Sequence, residues 1–289
     1  MKIYQKDRYH TWRWRHMVGP LVDKDGQDRK VLDLGCNAGW YMTKLEGLGY
    51  RTKGVEYDPM YISQAPDNLD IKQQDINYFD PGCYHTTLML CVHYHQSPEQ
   101  AQALFLKLAE SSCKMIVMGR QNVDGQVRSS ARWQNVTRNL MDGWREVDKR
   151  VNKNFYTLLL ESKYLKEFDV ETLFRATRRY TSKIKGYVDF APQFSEFIRK
   201  TIINPEWDPQ NSPFVSYMKK RRLTYPLGHC WVYKRMLEEI KANGLSAPLS
   251  VRNERIQDGY HRLIILRELG IKRVVCMVRG APKHGRIGE

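Results

Sequence analysis

The stretch that most constrains this 289-residue chain is Val31-Leu32-Asp33-Leu34-Gly35-Cys36-Asn37-Ala38-Gly39-Trp40-Tyr41. Apolar residues at 31, 32 and 34 read as a buried strand. The run breaks at a glycine-flanked turn, and Trp40 to Leu48 continues with helical spacing. Strand, glycine turn and helix open an α/β nucleotide-binding unit, because glycine lets the backbone approach a ligand and a helix N-terminus offers free N–H groups. One strand later, Gly54-Val55-Glu56-Tyr57-Asp58 ends a second apolar run on an acid. A carboxylate there is suited to accept both hydroxyls of a ribose.

Further apolar runs near 69–73, 86–92 and 114–118 alternate with helical patterns, notably Ser97 to Ser111. That alternation predicts a parallel, doubly wound sheet. Ligands of such sheets bind at the carboxyl ends of the strands, where Asp33, Glu56, Asp75 and His93 all fall. The segment over residues 1–20 is dense in aromatic and basic side chains. Trp12 and Trp14 are expected to pack it onto the sheet in preference to stacking on a ligand ring.

The spacing D-x-G-C-x-x-G from Asp33 to Gly39 resembles motif I of the class I S-adenosylmethionine-dependent methyltransferases, and the resemblance extends over roughly residues 10–125. Gly35 to Tyr41, with Tyr94-His95 later, is most similar to the wobble-uridine tRNA methyltransferase-like branch, whose relatives also methylate glycans and small molecules. The resemblance implies a Rossmann-like, mostly parallel sheet with S-adenosylmethionine as cofactor. It assigns donor binding to Asp33, Gly35, Cys36, Asn37, Gly39, Glu56, Tyr57, Asp75, Ile76 and Cys91, with Glu56 on the ribose and Asp75 on the adenine amino group. It also places the acceptor site just past the fourth strand. His93 and His95 are then the candidate catalytic bases for a hydroxyl acceptor, or binding groups for one that is already an anion. If the strand continues, alternation puts both on one side.

Charge divides the chain. Net charge is +15, yet residues 1–125 carry 15 Lys/Arg against 15 Asp/Glu, so the remaining 32 against 17 supply all of it. A basic half implies a polyanionic partner (nucleic acid, phosphorylated glycan or an anionic membrane surface met peripherally), although ordinary solubility charge accounts for it as well. The six cysteines show no C-x-x-C pairing, and no metal site is assigned. No apolar run reaches membrane-spanning length, and the N-terminus has no uninterrupted apolar core. A cytoplasmic protein is expected.

Beyond Arg120 the simple alternation stops. Trp133, Val136, Leu140, Trp144, Val147 and Val151 recur at three or four residues and predict an amphipathic helix, with Arg132, Arg138, Arg145 and Lys149 off its apolar stripe. This would be a basic helical insertion at about 126–154. Phe155 to Leu160 and Val170 to Phe174 are candidates for the last strands. The stretch around Pro192 to Pro213, which contains a Pro-, Asn- and Asp-rich run, reads as a linker. The expected organisation is a first domain over 1–190, a linker over 191–215 and a module over 216–289.

That module opens with the basic cluster Lys219-Lys220-Arg221-Arg222. A helix from Trp231 to Ala242, strands at 248–251 and 255–257, a helix from His261 to Leu269 and a strand at 273–278 follow. With Asp258-Gly259-Tyr260-His261-Arg262 at its centre, this order resembles the ParB/sulfiredoxin-like fold over about 65 residues. The resemblance implies a small α+β domain with a nucleotide-phosphate turn at Asp258, Gly259, His261 and Arg262. Three uses stay open: anion binding or a structural remnant, phosphotransfer from ATP or another nucleotide with Glu254 and Asp258 as acid–base groups, and DNA binding. Tyr260 stands where the kinase-like relatives carry histidine, and no helix-turn-helix segment follows. The favoured reading is a methyltransferase acting on an anionic acceptor (glycan, phosphorylated sugar or RNA) with a phosphate-binding module. The alternatives are a bifunctional methyltransferase–phosphotransferase and a non-catalytic nucleotide- or nucleic-acid-binding protein.

Overall fold

The computed structural model describes residues 7–79, 82–120, 142–151, 155–181, 190–221 and 225–279. The chain divides into two compact units between Lys166 and Glu167. In the first, the apolar runs become β1 (Lys30–Leu34), β2 (Arg51–Glu56), β3 (Ile71–Gln73), β4 (Tyr84–Leu90) and β5 (Ser112–Arg120). They pair in parallel, and β6 (Trp144–Val151) and β7 (Phe155–Ser162) complete a seven-stranded sheet in the order β3-β2-β1-β4-β5-β7-β6. β7 runs antiparallel to both of its neighbours. The sheet is thus Rossmann-like, doubly wound and mostly parallel, as expected.

Alternation along the central strands gives the sheet two buried faces. Leu32, Leu34, Met89, Met115 and Val117 pack on one face with Ala101, Leu104, Phe105 and Leu108 of α4 (Pro98–Ala109). Val31, Leu88, Ile116 and Met118 pack on the other with Tyr41 and Leu45 of α2 (Trp40–Glu46). Burying one Leu or Met side chain contributes about 1.5–3 kcal/mol. The N-terminal segment enters as α1 (Asp7–Arg13), continues as a π turn (Trp14–Val18) and a 3-10 turn (Gly19–Leu21), and packs Met17, Val18 and Leu21 into the second face. α3 (Pro59–Ile62) follows β2, capped by the Asp58 side chain on the Met60 N–H.

Two expectations for the sheet margin are corrected. Residues 144–151 form an extended edge strand and not a helix. Its register on β7 slips between Glu146 and Asp148, and that bulge breaks the period of two. Arg145 and Lys149 therefore lie on a strand, while Arg132, Trp133, Val136, Arg138 and Leu140 fall outside the described residues. Phe155 to Leu160 is a strand as expected, but Val170 to Phe174 begins a helix, α5 (Val170–Thr181), directly after the short β8 (Leu165–Asp169).

The second unit also starts earlier than the sequence suggests. Residues 191–215 are no linker. They hold most of α6 (Phe190–Ile203), a 3-10 turn (Pro209–Asn211) and the start of α7 (Pro213–Lys220), and Phe194, Phe197, Ile198 and Phe214 are core residues there. α8 (Pro226–Asn243), β9 (Leu249–Arg252), β10 (Arg255–Asp258), α9 (Tyr260–Glu268) and β11 (Arg273–Val278) follow in the expected order. The four-stranded sheet is β10-β9-β11-β8, with β9 antiparallel to β10 and parallel to β11. The Thr177 hydroxyl of α5 accepts the Ile256 N–H, so this helix is part of the unit's hydrogen bonding.

Candidate functional site

The turn after β1 holds three left-handed residues in five positions: Gly35 (φ +69°), Asn37 (φ +52°) and Gly39 (φ +75°). A Cβ on Gly35 would lie 2.5 Å from Val92 Cγ2, and one on Gly39 would lie 2.3 Å from Leu69 Cδ1. Backbone angle calls for glycine at both positions, and the β-branched Val92 also leaves no room for a side chain at Gly35. The turn is pinned to β2, since the N–H groups of Gly35 and Cys36 both donate to the Val55 carbonyl (2.8 and 3.2 Å). Gly54, which motif reading overlooks, gives Cys36 its room, because a Cβ there would stand 2.6 Å from Cys36 Sγ. Burial pushes the Cys36 thiol up, so it packs as a protonated side chain.

Glu56 joins the two loops at this edge. Its Oε2 accepts the Asn37 N–H at 2.9 Å, and its Oε1 accepts those of Tyr57 and Asp58 at 2.9 and 3.0 Å. A carboxylate has about four lone-pair sites, so acceptor capacity remains for a ligand hydroxyl. Asp33 is 2% exposed, and its Oδ2 has no hydrogen-bond partner. Burial first, and the neighbouring Glu56 charge second, push its carboxyl up to about 7. Two close acids, one of them incompletely hydrogen-bonded, make a pocket that favours a ligand carrying a cation and a diol.

The remaining sequence-derived positions fall around this centre. The Gln74 N–H donates to the Glu56 carbonyl (3.0 Å) and brings the end of β3 beside β2. Asp75 Oδ1 accepts from Asn77 N and Nδ2 (2.8 and 2.9 Å), with Ile76 buried and Tyr57 exposed. Cys91, half-buried at φ +64°, turns the chain out of β4 while its N–H donates to the Met118 carbonyl (2.8 Å). Trp14 meets Trp40 and Tyr41 edge-on or tilted, consistent with packing, whereas Trp12 is 39% exposed.

The two histidines do not share a side. β4 ends at Leu90, and His93–His95 is a 3-10 turn, so alternation no longer applies. His95 is exposed, while His93 is 1% exposed and its Nε2 is hydrogen-bonded with the Tyr156 hydroxyl at 3.1 Å. Burial holds the His93 imidazole down to about 4, so it is neutral at physiological pH and a weak base. Tyr156 is a site neighbour that sequence reading misses. The one signal for it is Gly119, directly across from it on β5, where a Cβ would lie 2.4 Å from the Tyr156 oxygen.

In the second unit, Gly259 (φ +93°) opens the nine-residue α9. Arg262 folds back over it, donating to the Ala247 carbonyl (3.0 Å) and to Asp258 Oδ2 (3.4 Å). His261 is not a second cation here. Its Nε2 is bonded with the Tyr233 hydroxyl (3.0 Å), its ring stacks on Tyr233 at 4.8 Å, and the edges of Phe190 and Phe194 close around it. Burial holds that imidazole down to about 4. Glu254 and Asp258 do not converge as an acid–base pair. Glu254 sits at the hairpin tip and Asp258 at the other end of β10, about 13 Å of strand away.

None of the six cysteines is in a disulfide. Among the described residues no group of His, Cys, Asp and Glu is arranged to hold a metal ion, and no helix is long and apolar enough to cross a membrane. No family model matches the chain. The tRNA U34 carboxymethyltransferase of Marinobacter nauticus (strain ATCC 700491 / DSM 11845 / VT8) is 30% identical over 109 residues, covering 33% of this chain and 32% of that protein. The chain thus spans about a third of the length of this curated relative. Similar solved structures include magnesium protoporphyrin IX methyltransferase (ChlM) from Synechocystis PCC 6803 with bound SAM, at 19% identity, 56% of this chain, 85% of that chain and a TM-score of 0.44. Another is N-methyltransferase NodS from Bradyrhizobium japonicum WM9 in complex with S-adenosyl-l-homocysteine, at 15% identity, 55% of this chain, 91% of that chain and a TM-score of 0.43.

Proposed function

We propose that the first unit is an S-adenosylmethionine-dependent methyltransferase acting on an anionic acceptor (glycan, phosphorylated sugar or RNA). The observation that carries this reading is the Glu56 carboxylate, fixed by three backbone N–H groups beside the incompletely hydrogen-bonded Asp33. Glu56 takes the ribose hydroxyls. The glycine turn accommodates the amino-acid arm, Asp33 faces the positive end of the donor, and Asp75 with Ile76 borders the adenine. The Marinobacter relative, by its name, acts on tRNA, which supports RNA within the acceptor class.

Methyl transfer from a sulfonium is an in-line displacement, and holding donor and acceptor in line is worth about 7–11 kcal/mol. A hydroxyl acceptor also needs a base. His93, held near 4, is poorly matched to that task at neutral pH, and His95 is exposed. An acceptor whose attacking atom is already anionic needs no base, and the site suits it better. His93 and Tyr156 then shape the floor behind that atom.

The second unit, on this reading, binds a phosphate-bearing ligand at Asp258, Gly259 and Arg262 as a ParB/sulfiredoxin-like module. The αL turn opening α9, with the Arg262 guanidinium folded over it, supports this. Phosphotransfer from ATP loses support from the separation of Glu254 and Asp258.

Calorimetry with S-adenosylhomocysteine tests the donor site. Wild type should bind, and Gly35→Val should not. Glu56→Ala should bind at least about tenfold more weakly, one charge-assisted hydrogen bond being worth about 1.5–3 kcal/mol. Circular dichroism melting checks that the variants still fold. No binding to wild type, or unchanged binding in both variants, overturns the reading.

A further inference from the structure

We propose that Arg13 is the anchor for an oxyanion, carboxylate or phosphate, on the methyl acceptor. This rests on the methyl-transfer reading above and narrows it to an acceptor that presents such a group to one particular guanidinium.

Arg13 ends α1 and is only 8% exposed. Its Cζ lies 4.0 Å from the Tyr9 ring centroid on one side and 4.4 Å from that of Phe155 on the other. One terminal nitrogen, Nη2, donates to the Tyr9 hydroxyl at 2.6 Å, whereas Nε has no hydrogen-bond partner. Among the described residues no carboxylate oxygen lies within 4.0 Å of the group. Arg29, also 8% exposed, is treated differently, with Asp23 at 3.7 Å. A buried cation without a counter-charge is costly, and packing on two rings holds the planar fork in place with its Nε–H unpartnered. That is the geometry with which arginine takes carboxylate or phosphate in a bidentate fashion.

Position connects the group to the site. The Tyr41 hydroxyl lies beside the guanidinium, makes no hydrogen bond of ordinary geometry, and is within electrostatic reach of Asp33 and Cys91 at the carboxyl ends of β1 and β4. Phe155, the ring under Arg13, opens β7 opposite Arg120 at the carboxyl end of β5. In the sheet order, β7 is four strands from β2, which carries Glu56, or about 19 Å at the usual strand spacing. The ribose acid and Arg13 therefore flank the β1–β4 centre from opposite sides, and Arg13 is on the side away from the donor's nucleoside.

The test uses the full chain saturated with S-adenosylhomocysteine and titrated with inorganic phosphate, then separately with acetate, at constant ionic strength, following melting temperature. Wild type should show a saturable rise that Arg13→Met loses. Arg235→Met, at an exposed arginine, should retain it and so controls for general anion effects on a basic protein. Arg13→Lys keeps the charge without the fork, covers the case in which Arg13→Met does not fold, and should bind the anion at least about tenfold more weakly. The same rise in wild type and both Arg13 variants means an adventitious ion only and overturns the proposal, as does the absence of any saturable rise in wild type. Arg13→Met that loses S-adenosylhomocysteine but keeps 5′-methylthioadenosine, which lacks the amino-acid carboxylate, assigns the guanidinium to the donor and also overturns it. If wild type binds neither nucleoside, the donor reading fails on its own, and the phosphate titration of the unloaded protein still decides Arg13.

Discussion

At the scale of single residues, Asp33 makes the sharpest claim. Its carboxyl stands at about 7 because burial and the Glu56 charge both disfavour ionisation. At pH 7 it is thus about half protonated, and a donor bringing a sulfonium and an ammonium into the pocket pulls its pKa down. Binding of S-adenosylmethionine at pH 7 should release up to about half a proton, seen as a difference in binding heat between Tris and phosphate buffers. Asp33→Asn should abolish the difference, and equal heats for wild type in both buffers would count against the assignment. That Asp33, Gly35, Gly39 and Glu56 gather at one turn was legible in the sequence because it depends on local spacing along two adjacent strands. His93 was legible as a position but not as a role. Its burial and its bond with Tyr156 depend on a strand more than sixty residues later, and Cys91 at φ +64° ends the alternation on which its facing was inferred.

At the scale of elements, the β9–β10 hairpin turns on Asn253 (φ +50°) and Glu254 (φ +58°), two left-handed residues of which only the asparagine is suited to that region. Glu254→Gly should stabilise the second unit by about 0.5–1 kcal/mol, read as a higher denaturant midpoint with unchanged slope. A phosphotransferase that used this carboxylate would lose activity instead, so ATP consumption before and after the change separates the readings. The misread elements failed for local reasons too. In β6 the bulge between Glu146 and Asp148 resets the period of two and leaves Trp144, Val147 and Val151 spaced like one face of a helix. Val170, Leu173, Phe174 and Thr177 do carry helical spacing, and all four are buried, but β8 ahead of them is too short and polar to mark where a strand stops. The supposed linker is two caps read as a loop: Asp208 and Ser212 accept the N–H groups of Gln210 and Val215, each with proline at the first helical position.

At the scale of the molecule, the two units should respond differently to acid. Each holds an imidazole kept neutral by desolvation, the buried His93 in the first and the half-buried His261 in the second, both near 4 against 6.5 when unfolded. A depressed histidine contributes full stability above 6.5 and loses it as pH falls toward 4, because the unfolded chain takes up the proton first. Asp33 works the other way in the first unit. Raised from 3.8 to about 7, it favours the folded state increasingly as pH falls through that window. The two contributions oppose each other in the first unit, while His261 is uncompensated in the second, at about 1.4 kcal/mol per pH unit. Carboxylates held low, namely Asp23 and Glu99 in the first unit and Asp169 and Glu171 in the second, give up stability only below their unfolded values of 3.8 and 4.5. Between pH 6.5 and 4.5 the second unit should therefore loosen first. Hydrogen exchange, corrected for the intrinsic effect of pH, should show α8 and α9 losing protection at pH 5 while β1 and β4 keep theirs. His261→Gln should remove most of that pH dependence, even if it lowers protection at neutral pH by opening the aromatic cluster. Equal loss in both sheets, or an unchanged acid response in His261→Gln, would mean that the imidazole ringed by Phe190, Phe194 and Tyr233 does not set the acid limit of its unit.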